Sequence, residues 1–184
     1  VVANNTSPDQ EEKSVPITMG ISMLETLERQ LALRDLDDYQ YKIGLFLIGC
    51  INDDGYIRRD FSAIVDDLAF SQNILTTEIE VLDVLKIIQD FDPIGIGARD
   101  LQECLILQLE RKDAESEAQQ LAIDILENAF DEFTKKHYDK LLKKFNIDEE
   151  QLKEAIDEIL KLNPKPGNSM SESATVTEHV VPDF

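Results

Sequence analysis

The stretch from Asp92 to Leu109, DPIGIGARDLQECLILQL, constrains the fold of this chain more than any other. Pro93 fixes its own φ and disfavours the α conformation at Asp92, so the preceding helix must end by Phe91 or Asp92. In the following segment, Leu101–Leu109, apolar residues point in every direction around a helix axis. A helix with this pattern must be covered by protein on all sides, so we expect it at the centre of an all-α fold.

The loop before this helix carries two glycines and a capping signal. Gly95 and Gly97 allow backbone angles that residues with a Cβ resist. We predict Gly97 as a candidate N-cap, with Asp100 in the first turn, where its charge suits the helix dipole. A dinucleotide-binding loop is not supported, because the preceding element is predicted to be a helix and Asp100 occupies the place of the third glycine.

The same residues resemble the signature of the core-binding region of bacterial sigma-54 (sigma-N) factors. The positions that fit the signature are Asp92, Pro93, Gly95, Gly97, Ala98, Arg99, Leu101, Glu103, Cys104, Leu105, Gln108 and Leu109. Three other segments, LIGCINDDGYI, LNPKPG and the terminal VVPDF, also resemble elements of that family. The resemblance therefore covers about residues 21 to 184.

The resemblance implies a transcription initiation factor, not an enzyme, that binds bacterial core RNA polymerase. In that family the full-length factor directs the polymerase to promoters with elements near −24 and −12, and an ATP-hydrolysing activator opens the complex. We expect the segment that the activator engages and the DNA-reading part of the family to lie outside this sequence. We therefore expect promoter DNA and the activator as partners only through regions absent from this chain. A helical protein–protein adaptor unrelated to transcription stays open as the alternative.

Charge and composition argue against several other classes. The 38 acidic and 18 basic residues give a net charge of −20, which repels a phosphate backbone. No apolar run approaches the roughly 18 residues of a membrane span. Cys50 and Cys104 lie in separate apolar runs and are predicted to be buried thiols, and His137 and His179 have no catalytic companion at motif spacing. We expect a soluble, cytoplasmic chain with no cofactor, no metal and no membrane partner.

Hydrophobic periodicity predicts helices along most of the chain. The predicted apolar face of the first helix consists of Ile21, Leu24, Leu27 and Leu31, and that of a helix over Thr77–Gln89 includes Ile79, Leu82 and Leu85. Caps are predicted at Asp37 or Asp38, at Thr77 and at Asp148. Two helix pairs have helix-turn-helix outlines, but the second helix of each is acidic and unsuited to DNA. The turn NDDGYI lacks the carboxylate spacing of a calcium loop, and Gly55 is predicted to take a positive φ.

We predict an acidic flexible linker over residues 1–18, a first helical subdomain over 19–111 and a second over 112–167, packed around the central helix. Residues 168–184 are predicted to be a linker that leads to the absent DNA-binding part. Most signature residues are expected to be structural, while Arg99, Glu103 and Gln108 hydrogen-bond across the subdomain junction or face the polymerase. A basic cluster is a further candidate for polymerase contact and consists of Lys135, Lys136, Lys140, Lys143 and Lys144.

Overall fold

The computed structural model describes residues 23–112 and 116–168, and in these ranges the fold is all-α, as predicted. The predicted linkers lie outside the described residues, apart from Asn168. Within them there is no β-strand, and Tyr56 and Ala98 form one isolated parallel bridge. The helices are α1 (23–32), α2 (Asp38–Gly49), α3 (Phe61–Gln72), α4 (Glu78–Ile88), α5 (Leu101–Glu110), α6 (Glu117–Asn128), α7 (Phe130–Thr134), α8 (Tyr138–Phe145) and α9 (Glu149–Leu160), and residues 166–168 are also helical.

Local capping chemistry sets the start of several helices. Asp37 and Gln40 form a capping box at α2, in which each side chain accepts the backbone N–H of the other residue. Asp148 and Gln151 do the same at α9, and Thr77 caps α4 with its hydroxyl. These interactions satisfy N–H groups that lack a partner within the helix. The predicted helix starts at these positions are confirmed.

The helices pack around two separate hydrophobic cores. The first is built by α1 to α4 and the loop after α4, and its buried residues run from Met23 to Ile96. The second is built by α5 to α9, with buried residues from Leu105 to Leu162. The cores therefore change over between Ile96 and Leu105, around the start of α5. The division near Arg111, predicted as a boundary between subdomains, stays a prediction.

Two predicted apolar faces are displaced around their helices. In α1 the buried residues are Met23, Leu27 and Leu31, four residues apart, while Leu24 is exposed. In α4 the buried residues are Val81, Val84, Leu85 and Ile88, whereas Ile79 is 73% exposed. Helix α4 carries more apolar residues than one face can hold, so periodicity alone could not identify the face that packs.

Helix α5 is buried on one side only, and the expectation of complete coverage is wrong. Its buried residues are Cys104, Leu105, Gln108 and Leu109. Leu101 is 38% exposed, and Ile106 and Leu107 are half-buried. The helix lies at the edge of the second core and against the loop of the first, so two neighbours cover it and its remaining side faces a cleft.

Candidate functional site at the junction of the two cores

The loop between α4 and α5 is tied to the first helix by a single glutamine. The side-chain amide of Gln30 donates to the carbonyl of Asp92 at 2.8 Å and accepts the Asp92 N–H at 2.8 Å. The Asp92–Pro93 peptide bond is cis. Both backbone polar groups of Asp92 are thus satisfied by α1, which fixes where the loop leaves the first core.

Two glycines let this loop approach its neighbours closely. Gly95 has a φ of +97°, and a Cβ there would lie 3.0 Å from both Cys104 Sγ and Gln108 Nε2. Gly97 has a φ of +81°, and its N–H donates to the Gly55 carbonyl at 2.8 Å. Both residues adopt the left-handed backbone region that favours glycine. Close packing adds a second constraint at Gly95.

The start of α5 differs from the prediction, because the N-cap is Asp100 and not Gly97. The Asp100 carboxylate accepts the N–H of Glu103 at 2.8 Å. The Glu103 carboxylate in turn accepts the N–H of Arg99 at 2.8 Å and the amide of Gln89 at 3.3 Å. Glycine offers no side-chain acceptor, whereas aspartate in an extended conformation satisfies an N–H of the first turn. Glu103 thereby joins α5 to the end of α4.

Gln108 connects α5 to the loop that follows α9. Its amide donates to the carbonyl of Asn163 at 2.6 Å and accepts the Asn163 N–H at 2.8 Å. The side chain is 8% exposed, and its amide also lies 3.3 Å from Cys104 Sγ. The geometry places Gln108 inside the junction and not on a surface open to a partner.

The loop after α9 also touches the turn after α2. Tyr56 donates its hydroxyl to the carbonyl of Pro164 at 2.5 Å, and the N–H of Gly167 donates to the carbonyl of Asp54 at 3.1 Å. A Cβ on Gly167 would lie 2.6 Å from the Gly55 N and would overlap the Asp53 carbonyl. Gly55 itself has the predicted positive φ, at +98°. The two loops are therefore in backbone-to-backbone contact.

A small third cluster lies where these segments meet and contains Tyr56, Ala98 and Cys104. Burial raises the pKa of the Tyr56 hydroxyl, and the neighbouring Cys104 raises it further. Burial likewise raises the pKa of the Cys104 thiol, although hydrogen bonds from Tyr56 and Gln108 oppose the shift. Both groups are therefore protonated at neutral pH, and Cys104 is an unreactive, packed thiol.

The structure brings most signature residues together and separates them from the lysine cluster. Leu105 and Leu109 enter the second core, and Ala98 and Cys104 form part of the junction cluster. Arg99 and Glu103 line a cleft of about 620 Å³ between α4 and α5. The five predicted lysines are all exposed and lie on another surface, at the end of α7 and along α8.

Several residues at this junction were not predicted as site residues. Tyr56, Gln89 and Gln30 each supply a hydrogen bond that joins two segments, and Asn163 supplies the backbone that Gln108 binds. The segments LIGCINDDGYI and LNPKPG were each identified by their resemblance to elements of the family. Their contact carried no sequence signal, because Tyr56 and Pro164 are 108 residues apart.

Within the described ranges, no helix is long and apolar enough to cross a membrane. The same ranges contain no group of three or more His, Cys, Asp or Glu residues arranged to hold a metal ion.

Comparison with known proteins shows the family to which this sequence is similar. Residues 16–184 match the family described as Sigma-54 factor, core binding domain. The RNA polymerase sigma-54 factor of Azorhizobium caulinodans is 38% identical over 163 residues, which is 88% of this chain and 29% of the relative. That of Azotobacter vinelandii is 34% identical over 183 residues, covering 97% of this chain and 35% of the relative. The chain therefore spans about a third of the length of these relatives, and it belongs to the sigma-54 core-binding domain family.

Proposed function

We propose that this chain binds bacterial core RNA polymerase. The observation that carries the proposal is the match to the core-binding family over residues 16–184, a range that includes both cores and the junction between them. The matched segments contact one another at the junction, so the two cores are held in a defined relation. A partner would then meet one composite surface and would not have to order two independent lobes, which lowers the entropic cost of binding.

Charged residues outside the two hydrophobic cores are the proposed contacts. Arg99 and Glu103 line the cleft between α4 and α5, where Arg99 also lies over the Phe61 ring at 4.9 Å. The lysine cluster of α7 and α8 forms no salt bridge with any residue in the described ranges. Exposed lysines without a salt bridge favour an acidic partner surface, because opposite charge accelerates encounter and penalises wrong partners.

A wider role is proposed only for a longer protein of which this chain would be a part. There, recognition of promoter DNA and opening by an ATP-dependent activator would depend on other segments. For the chain itself we propose a binding role with no catalysis, in the bacterial cytoplasm. The second helices of the two helix-turn-helix outlines are acidic, and a phosphate backbone would repel them. Their charge supports the assignment of DNA recognition to other segments.

Direct titration tests the proposal. Fluorescently labelled chain is titrated with bacterial core RNA polymerase, and with promoter DNA alone in parallel, at physiological salt. We expect saturable binding to the core at submicromolar concentration and no binding to the DNA. A folded chain that does not bind the core would contradict the proposal and favour the unrelated adaptor. Salt-sensitive binding to DNA alone would show that the chain binds a phosphate backbone despite its acidic helices.

We also propose that residues 19–111 and 112–167 behave as two subdomains. The polar run KDAESEAQQ, which begins after α5 and extends into the first turn of α6, supports a boundary there, although Leu105 and Leu109 already pack into the second core. Limited proteolysis followed by mass spectrometry tests the division. Early cleavage within residues 112–119 is expected, whereas first cleavage between residues 97 and 104 would move the boundary to the point where the cores change over.

A further inference from the structure

A groove of about 460 Å³ runs between α8 and α9, away from the junction. Tyr138 and Leu142 line it from α8, and Leu152 and Ile156 line it from α9. Each pair is spaced four residues apart, so each lies along one side of its helix. Tyr138 is 39% exposed, and Leu142 and Ile156 are only half-buried. Two rows of apolar side chains, one from each helix, thus line a trough that the second core leaves open.

The rim of the groove is acidic. Asp139, Glu149 and Asp157 line it together with a single lysine, Lys153. All four are exposed, and none of the four side chains forms a salt bridge within the described ranges. An apolar floor between acidic edges suits a helix with an apolar stripe flanked by lysine or arginine, since apolar anchors at helical spacing fill such grooves.

The remaining segments of this chain do not have that chemistry. Residues 1–22 contain three acids and one lysine, and residues 169–184 contain three acids and no lysine or arginine. A second copy of the chain carries the same net charge of −20, which opposes self-association. The occupant that fits the groove therefore comes from another molecule.

We propose that the groove between α8 and α9 receives an amphipathic helix of core RNA polymerase whose apolar stripe is flanked by basic residues. This inference rests on the proposed function and assigns the polymerase one particular docking surface. Apolar side chains of the incoming helix cover Leu142 and Ile156, Tyr138 closes over one end, and the basic flanks face Asp139 and Asp157. Tyrosine is among the residue types that most often contribute a large share of the binding energy of an interface.

Two groove variants and a matched control test this surface by titration with core RNA polymerase. We expect Tyr138→Glu to weaken binding about tenfold or more, because it places a charge over the apolar floor. The double variant Asp139→Lys, Asp157→Lys should weaken binding to a similar extent. It does not alter the apolar floor, so it still tests the surface if the first variant unfolds. The control is Glu154→Lys, an exposed reversal on α9 that does not line the groove, and its affinity should stay within about twofold of the original.

The outcomes distinguish this inference from the proposed function. If the original chain binds the polymerase and folded groove variants bind equally well, the groove is not the docking surface, although polymerase binding stands. If the original chain does not bind, both proposals fail.

A photo-crosslinking amino acid at position 138 identifies the occupant directly. Crosslinking to a polymerase helix with basic residues beside an apolar stripe is expected. Crosslinking only to a second copy of the chain, or to an acidic polymerase segment, would overturn the inference.

Discussion

Gln108 uses both polar atoms of its buried amide on a single residue, accepting the N–H of Asn163 and donating to its carbonyl. The carbonyl of the next residue, Pro164, accepts a hydrogen bond from the Tyr56 hydroxyl. A side chain of α5 and a side chain of the turn after α2 therefore hold adjacent residues of one loop. This arrangement gives the signature glutamine a structural explanation.

Replacing Gln108 with leucine should destabilise the fold by about 1–3 kcal/mol, because it removes both hydrogen bonds to Asn163 from a buried position. Urea unfolding followed by circular dichroism measures the change. The matched control is Gln120→Leu, at an exposed glutamine of α6, which should change stability by less than about 0.5 kcal/mol. Equal effects from the two substitutions would show that the pairing with Asn163 contributes nothing.

Replacing Gly97 with valine should cost about 1–3 kcal/mol, because φ at this position is +81° and a β-branched side chain resists that conformation. A Cβ there would meet its nearest neighbour at 3.5 Å, an ordinary contact, so the expected cost is conformational and not steric. Thermal unfolding measures it. Gly49→Val serves as the control, since Gly49 ends α2 with open space around it; an unchanged melting temperature for Gly97→Val would refute the claim.

Replacing Gly167 with alanine should force apart the turn after α2 and the loop after α9. The added Cβ would meet backbone atoms of Asp53 and Gly55, which cannot rotate away as a side-chain end could. We expect a loss of about 1–3 kcal/mol and faster proteolysis between residues 162 and 168. Gly49→Ala should leave both measurements near their original values. Proteolysis at the original rate would mean that the loop accommodates the methyl group.

Stability should fall as the pH rises above about 9. The Cys104 thiol and the Tyr56 hydroxyl have raised pKa values in the fold, from ordinary values of 9.0 and 10.0. Above those values the unfolded chain has lost protons that the folded chain keeps, so the free energy of unfolding decreases with pH. Below pH 9 this contribution is fully present.

Urea unfolding from neutral pH to about pH 10.5 measures this dependence. Burial also raises the pKa of Cys50, so the series is best done with Cys50→Ala. Adding Tyr56→Phe should flatten the upper part of the curve. A stability that is constant up to pH 10.5 would contradict the burial of both groups.

Reversing two lysines of α8, with Lys140→Glu and Lys143→Glu, should weaken polymerase binding about three- to tenfold at low salt, and the difference should shrink as salt is added. Both residues are exposed and without a salt bridge to any described residue. A control with the same charge change reverses Lys42 and Lys161, which already pair with Asp38 and Glu158. Equal losses in the two double variants would indicate a general charge effect and not a contact.

Sequence patterns predicted the local structure well wherever neighbouring residues decide it. The caps at Asp37, Thr77 and Asp148 depend on side chains within three residues of the helix start, and all three are found. The face of α4 could not be predicted, because Ile79 and Val81 are equally apolar and only the other helices determine which is buried. At the start of α5, Gly97 was a plausible cap until the structure showed the extended backbone of Asp100.

Contacts between distant segments at the junction could not be predicted from the sequence either. Resemblance singled out the loop of Gly95 and Gly97, the turn at Gly55 and the segment before Gly167, each as a separate motif. That they touch depends on how two cores are oriented, and orientation is a property of the whole packed chain. The polar residues that join the motifs, such as Gln30 and Gln89, carry no local pattern by which to recognise them.

The contact between Tyr56 and Pro164 has a consequence for the order in which the chain folds. The two residues are 108 positions apart, so closing the loop between them is costly until the intervening helices have formed. During synthesis, the residues of the first core, which end at Ile96, leave the ribosome well before Pro164 is made. The first core can therefore assemble early, while the hydroxyl of Tyr56 is still in water. The junction closes only when translation has passed the last helix, so a closed junction marks a finished domain.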